Sequence, residues 1–416
     1  MGEAQFALHW IDYTIVVVYF IGIMGHGYYV SRKLKGGADD YFLAGRTLPW
    51  YLIGFSLFAS NMSGSSFVGT LGGAYENGVA IYNWEWTGAL VLIIFAVFIL
   101  PSYLRAKVST APEFLELRYD VRSRRAFSAF TLLAINQFVV QRALGAKSQR
   151  EGQLGALFAG FLKLPNIFLL ILPGLIALKL YPDLETPDLA FPTLAFELMP
   201  IGIRGLIMAA LIAAIMSSLD SALNSAGTLF TLDFVKPMKP DLGDETYVKI
   251  GRIVTGVCMV IGAIYAPMIA GFPSLFSYFQ SSLSYVVPPI VVVYILGLFV
   301  PWVNGHGAFW TIIGGLIIGI PMFLTKEVSG VWEAAGLPDI HYTVMSSLLM
   351  FAAIASHMGI SALTGRNAKE DTKNLVWDWA DTKEEFGKIE SPIWLDRTIL
   401  SGVLIIYMVG VVVWFW

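Results

Sequence analysis

The stretch Ala213-Ala-Ile-Met-Ser-Ser-Leu-Asp-Ser-Ala-Leu-Asn-Ser-Ala-Gly-Thr228 decides how the chain is read. At about 100° per residue, Ala214, Ser217, Ser218, Ser221, Asn224, Ser225 and Thr228 fall within roughly 120° of one helix face. Ile215, Met216, Leu219, Ala222, Leu223, Ala226 and Phe230 cover the other side. The stretch sits inside a long apolar segment, so a hydroxyl stripe runs along an otherwise apolar helix. Buried hydroxyls cost free energy unless they find partners, and in a membrane they mark either a packed helix interface or an ion path. This segment alone leaves both open.

Composition sets the solvent. The 416 residues are 56% hydrophobic and 14% charged, with a mean hydropathy of +0.67. A soluble domain carries about 25% charged residues, so the chain reads as an all-α polytopic membrane protein in a lipid bilayer. The net charge of −3 gives no sign of a nucleic-acid partner. One cysteine, Cys258, excludes an intrachain disulfide and a cysteine metal cluster. No His-Glu-x-x-His, Gly-x-Ser-x-Gly or phosphate loop is present, which leaves an enzyme reading with no residues to name.

Apolar segments fall near 11–30, 49–72, 83–103, 126–140, 154–180, 202–231, 250–271, 274–300, 307–325, 342–363 and 396–416, giving about 10–11 candidate spans. The connection 364–395 is polar. Basic loops assign the sides: Arg32, Lys33, Lys35 and Arg46 put loop 31–48 in the cytoplasm, and with it the N-terminus outside. Loop 104–125 returns inside. Loop 141–153, with Arg142, Lys147 and Arg150, is basic again after only one intervening segment. That segment, 126–140, is about 15 residues, roughly 22 Å of helix against a ~30 Å hydrocarbon core. Two cytoplasmic loops need an even number of crossings between them, so this segment lies at the surface, re-enters, or marks a place where several spans are absent.

Segment 49–72 runs Ala59-Ser-Asn-Met-Ser-Gly-Ser-Ser66 through its middle. Such a run favours a broken helix, tolerated at mid-membrane only where it is buried or lines a cavity. Free carbonyls there, set against Ser217 and Ser218, would suit sodium, a hard cation that takes neutral oxygen ligands. Glu85, between Trp84 and Trp86, suits a polyhydroxylated ligand or, equally, an interfacial aromatic belt. Gln280 is a mid-bundle amide, and Asp220 stands at the edge of the polar stripe as a cavity residue or a cap.

These residues resemble the sodium:solute symporter family, particularly its sodium/glucose cotransporter branch. The matching motifs include Tyr41-Phe-Leu-Ala-Gly-Arg46, Phe58-Ala-Ser-Asn-Met-Ser63, Tyr82-Asn-Trp-Glu-Trp86, Pro112-Glu-Phe-Leu-Glu116, Asn136-Gln-Phe-Val-Val-Gln-Arg142, Ala146-Lys-Ser148 and 213–225. The resemblance implies two inverted five-helix repeats working by alternating access. It implies a sodium site of the Ala59, Met62 and Ala214 carbonyls with the Ser217 and Ser218 hydroxyls, and Ser221 at an additional sodium. It implies solute contacts at Glu85 and Gln280, with Asn61 and Ser66 beside them; Ser66 stands where a longer polar side chain is common, and Gly88 replaces a hydroxyl residue. Sodium is the coupling ion and no organic cofactor is implied.

The resemblance also locates the gap. Residues 126–134 resemble the start of the third core helix and 136–148 the end of the sixth, leaving the first repeat incomplete by on the order of a hundred or more residues. Leu133–Asn136 is the expected junction. The chain is expected to be one transporter domain, with 1–134 the N-terminal helix and the start of the first repeat, 135–300 the end of the sixth core helix and the rest of the second repeat, and 301–416 the peripheral C-terminal helices. The expected activity is sodium-coupled symport of a small polar solute, foremost a hexose-like sugar, at the plasma membrane. A non-transporting binding protein and a non-functional deletion product are the alternatives.

Overall fold

A computed structural model describes residues 7–32, 46–106, 108, 110–134, 142–272, 274–365, 375–377, 392 and 395–415. Among the described residues the protein is helical throughout, with one isolated bridge between Leu48 and Ala146. Among the described residues eight helices are long and apolar enough to cross a membrane, and nine spans result if the bent pair Leu275–Val286 and Pro288–Phe299 is one. The two leftover segments are the ones whose sequence resists a straight helix, 49–72 and 126–140. The expected junction at Leu133–Asn136 falls at the edge of the described residues, since helix Val121–Ala134 ends there and 135–141 lie outside them.

Helix α1 (Trp10–Ser31) leads to α2 (Trp50–Asn61), which stops at Met62. A π-helical turn, Ser65–Thr70, and α3 (Leu71–Asn77) resume the direction, and Gly78 (φ +68°) ends the run. Only glycine adopts that backbone without strain, so the chain turns there into α4 (Tyr82–Ile94). On the cytoplasmic side of the expected topology lie α5 (Ala111–Arg118) and α6 (Val121–Ala134). Then come α7 (Gln149–Leu162), α8 (Leu172–Leu180), α9 (Ala190–Glu197) and the hydroxyl-striped α10 (Ile203–Leu229). The rest comprises α11 (Asp244–Tyr265), α12 (Leu275–Val286), α13 (Pro288–Phe299), α14 (Gly305–Phe323), α15 (Tyr342–Leu363) and α16 (Arg397–Phe415). The α12–α13 bend of 51° falls at the Pro288-Pro289 pair, whose missing amides cannot continue the ladder.

Four contacts position the centre. The α2–α7 pair closes on glycines: a Cβ at Gly155 would lie 2.6 Å from Ile53 Cγ2, and one at Gly54 2.4 Å from Phe158 Cδ1. Glu151 Oε2 accepts the Trp50 amide at 2.6 Å, satisfying one orphan donor at the start of α2. At the N-terminal end of α10, Asp12 of α1 accepts the amides of Gly202 (2.7 Å) and Gly205 (2.8 Å). Just past its C-terminal end, buried Asp233 takes Thr110 Oγ1 (2.8 Å), Ser128 Oγ (3.1 Å) and the Arg124 guanidinium (2.6 Å). Helix α10 is thus tied at both ends by carboxylates.

Asp188, in the short turn Pro187–Leu189, accepts the Leu275 amide at the start of α12 (2.8 Å) and so joins the segment before α10 to the one after α11. Burial pushes its carboxyl above the usual range, against the opposing pull of the Leu275 amide. With a raised folded pKa, the stabilising contribution is complete below the unfolded value of about 4 and is lost as pH rises through the folded one. Asp188→Asn, which keeps an acceptor for Leu275, is expected to remove this loss. Thermal unfolding in detergent between acidic and neutral pH would show it as a flatter profile, with a midpoint at neutral pH no lower than that of the parent.

Candidate functional site

The break in α2 follows from rerouted amides. In a continuous helix the Ser63 and Ser66 amides would close on the carbonyls of Ala59 and Met62. Instead the Ser63 amide turns to the Ser66 hydroxyl (3.4 Å) and the Ser66 amide to the Ser63 carbonyl (3.0 Å). The last regular bond runs from the Met62 amide to Phe58 (3.0 Å). Both carbonyls expected to hold sodium are therefore relieved of their helical partners. The Ser66 hydroxyl caps the Asn61 carbonyl (2.9 Å), so its short side chain serves the break itself.

Helix α10 crosses this break. Ser218 Oγ lies 3.3 Å from the Ser60 carbonyl, and a Cβ on Gly64 would come within 3.0 Å of Ile215. Ser217 and Ser218 are half-buried on the crossing face, while Ile215, Met216, Leu219 and Asp220 are exposed behind them. Part of the stripe is internal glue: Ser221 Oγ donates to the Ser217 carbonyl (2.6 Å) and Thr228 Oγ1 to that of Asn224 (2.8 Å). Ser221 also meets Ser60 Oγ at 3.0 Å and receives the Arg142 guanidinium, so it differs from its two neighbours in being fully engaged. Ala214 stays within the regular helix, half-buried, where its carbonyl has a second lone pair to offer. The donor set is neutral oxygen throughout, which fits a hard monovalent cation.

Beside the crossing lies a cavity of about 440 Å³. It gathers all four residues expected to touch solute, Asn61, Ser66, Glu85 and Gln280, and reaches Ser218. Glu85 is buried rather than interfacial, and its flanking Trp84 lines the same space, edge-on to Phe276 at 6.1 Å.

Sequence reasoning missed the partners of Glu85. Lys163 Nζ lies 3.1 Å from Glu85 Oε2, and Asn166 Nδ2 donates to the same oxygen at 2.8 Å. Both sit where α7 ends, just before and after Pro165, so the helix break aims them inward. A lysine inside an apolar run is costly unless it finds a counter-charge or a cavity, and that cost is the signal that was available. Gly88 matters here too: a Cβ there would come within 3.2 Å of Lys163 Cε. The absent hydroxyl makes room for the lysine stem.

The comparisons fit this geometry. The model of the "Sodium:solute symporter family" matches residues 41–138 and 133–315. The chain belongs to the sodium:solute symporter family. As a member of it, it is an integral membrane protein with the five-helix inverted-repeat fold, the first repeat incomplete. It is 28% identical over 500 residues to a sodium/glucose cotransporter of Vibrio parahaemolyticus, covering 85% of this chain and 91% of that one. It is 26% identical over 552 residues to sodium/glucose cotransporter 4 of Danio rerio (94% and 84%), and 24% over 530 to sodium/myo-inositol cotransporter 2 of Homo sapiens (88% and 78%). A solved, substrate-bound outward-open Na+-coupled sialic acid symporter shares the fold with a TM-score of 0.73 at 18% identity, covering 88% of this chain and 100% of that one.

The symporter's gap is visible in the same numbers. The two family blocks meet and overlap at 133–138, where the charge alternation fails. In the Vibrio alignment, 85% of 416 residues is about 354, so close to 146 of its 500 positions carry no residue of this chain.

Gly88→Val is expected to crowd the Lys163 stem away from Glu85 and lower stability by about 1–3 kcal/mol. Denaturation of the purified protein checks it, with Gly78→Ala, strained for a different reason, as the contrasting variant.

Proposed function

We propose that the chain is a sodium-coupled symporter of a small, neutral, polyhydroxylated solute of hexose size, working by alternating access with its N-terminus outside. Sodium is bound by the carbonyls of Ala59, Met62 and Ala214 and the hydroxyls of Ser217 and Ser218. The observation that carries the solute class is the charge balance of the cavity. Its one carboxylate, Glu85, is neutralised by Lys163, and Asn61, Ser66 and Gln280 are uncharged. A carboxylated solute would meet Glu85 as a like charge, whereas sugar hydroxyls can accept from Lys163 and donate to Glu85. Trp84 offers a ring for the apolar face of a pyranose.

Ser218 lines the solute cavity and also touches the break in α2, so ion and solute share a wall. A cation that holds the α2–α10 crossing together would favour the state in which the cavity is formed. This is coupling as a difference in affinity between two states.

A second reading, solute binding without translocation, is favoured by the exposed face of α10 at Met216, Leu219 and Asp220, a face open where the gap removes helices. Proteoliposomes separate the two. Symport predicts uptake of labelled hexose that rises with a sodium gradient and falls at least about tenfold in Ser217→Ala and in Glu85→Gln. Saturable hexose binding by the purified protein with no gradient-driven uptake would establish the binding protein instead.

A further inference from the structure

Arg142 stands one helical turn along α10 from the sodium ligands. Its Nη1 donates to Ser56 Oγ on α2 and its Nη2 to Ser221 Oγ on α10, so the guanidinium bridges the two helices that form the ion site. Ser221 Oγ gives its proton to the Ser217 carbonyl, so its lone pairs are left to accept from the guanidinium and from the Ser60 hydroxyl (3.0 Å). Ser60 is shared outright, since its carbonyl meets Ser218 while its hydroxyl meets Ser221.

The hydrogen bonds of this charge go to hydroxyl oxygens. Among the described residues no carboxylate lies within ion-pair distance of Arg142, and its buried Nε finds no partner. Asp220, the neighbour of Ser221, is exposed and attracts the guanidinium only at longer range. A structural arginine is normally paired with a carboxylate or spread over helix-end carbonyls, as Arg118 is here on Gly297 (2.7 Å) and Val300 (2.9 Å). Arg142 instead makes the contacts that a small cation would make, at the crossing where a small cation is to bind.

We infer that Arg142 is a tethered cation that competes with sodium at the α2–α10 crossing, filling the hydroxyl cage of Ser56, Ser60 and Ser221 and weakening the ion held by Ser217 and Ser218. The inference rests on the sodium reading of that crossing. Like charges one turn apart in a poorly hydrated site repel, and the guanidinium also polarises Ser221 and Ser60 away from a second cation. The chain therefore carries its own brake on sodium occupancy, and the charge at position 142 sets how much sodium is needed.

The test is equilibrium binding of ²²Na+ to the purified full chain in lipid nanodiscs, with choline as the balancing cation. Arg142→Gln is expected to bind sodium about tenfold tighter or more, Arg142→Lys to bind it as the parent does, and Ser217→Ala to abolish binding in each background. Tighter binding in Arg142→Gln also supports the inference if the parent binds no measurable sodium. Equal or weaker sodium binding in Arg142→Gln, with parent binding intact, overturns the inference and leaves the sodium site standing. No binding in either protein overturns both. If Arg142→Gln loses its cooperative melt, Arg142→Met is read in its place. Loss of the fold in both overturns the inference in favour of a purely structural bridge.

Discussion

A helix stopped in the middle of an apolar layer leaves backbone groups that must be satisfied there. The interruption of α2 at Met62 creates that requirement. Unpaired carbonyls in a medium without water cost several kcal/mol each, so the surroundings are arranged to meet them. Ser66 takes the Asn61 carbonyl, Ser218 reaches that of Ser60, and the Ser63 and Ser66 amides find other acceptors than the carbonyls of Ala59 and Met62. The hydroxyl stripe of α10, the glycine seam between α2 and α7, and the polar cavity all follow from accommodating this interruption.

The sequence carried the break and the stripe because each is local: a Ser/Gly run within eight residues, and a periodicity within sixteen. The four cavity residues Asn61, Ser66, Glu85 and Gln280 were legible through their polarity against apolar neighbours and through the family resemblance. Lys163 and Asn166 were not, because one lysine in a run of 27 residues is averaged away by hydropathy, and its partner lies 78 positions earlier. The bridge from Arg142 to Ser221 spans 79 positions and depends on how two helices cross. Helix limits drifted for a comparable reason. Segment 83–103 extends to Ala106 through a π-helical turn, Phe95–Ile99, which the Gln153 side chain steadies by donating to the Ala96 carbonyl (3.0 Å).

The gap has two faces. In the alignment with relatives it is a stretch of missing positions centred on 133–138. In space α10 has an open side, where Met216, Leu219 and Asp220 are exposed. Apolar side chains on such a face are at home in lipid, but a carboxylate is not. Helix α10 thus combines a polar face turned to the break in α2 with an open outward side. The solute cavity, walled by α2, α4, α7, α10 and α12, does not border that side.

Asp12 also bears on how the molecule can move. Its two oxygens hold three amides, those of His9, Gly202 and Gly205, and Gly205 has no Cβ because the Asp12 backbone occupies that space, at 2.6 Å. Charge-assisted bonds of this kind contribute about 1.5–3 kcal/mol each. Rocking α10 away from α1 would break two of them at once and open a void at the glycine. The N-terminal helix, which has no buried face of its own within the membrane, therefore travels with α10 as a single lever.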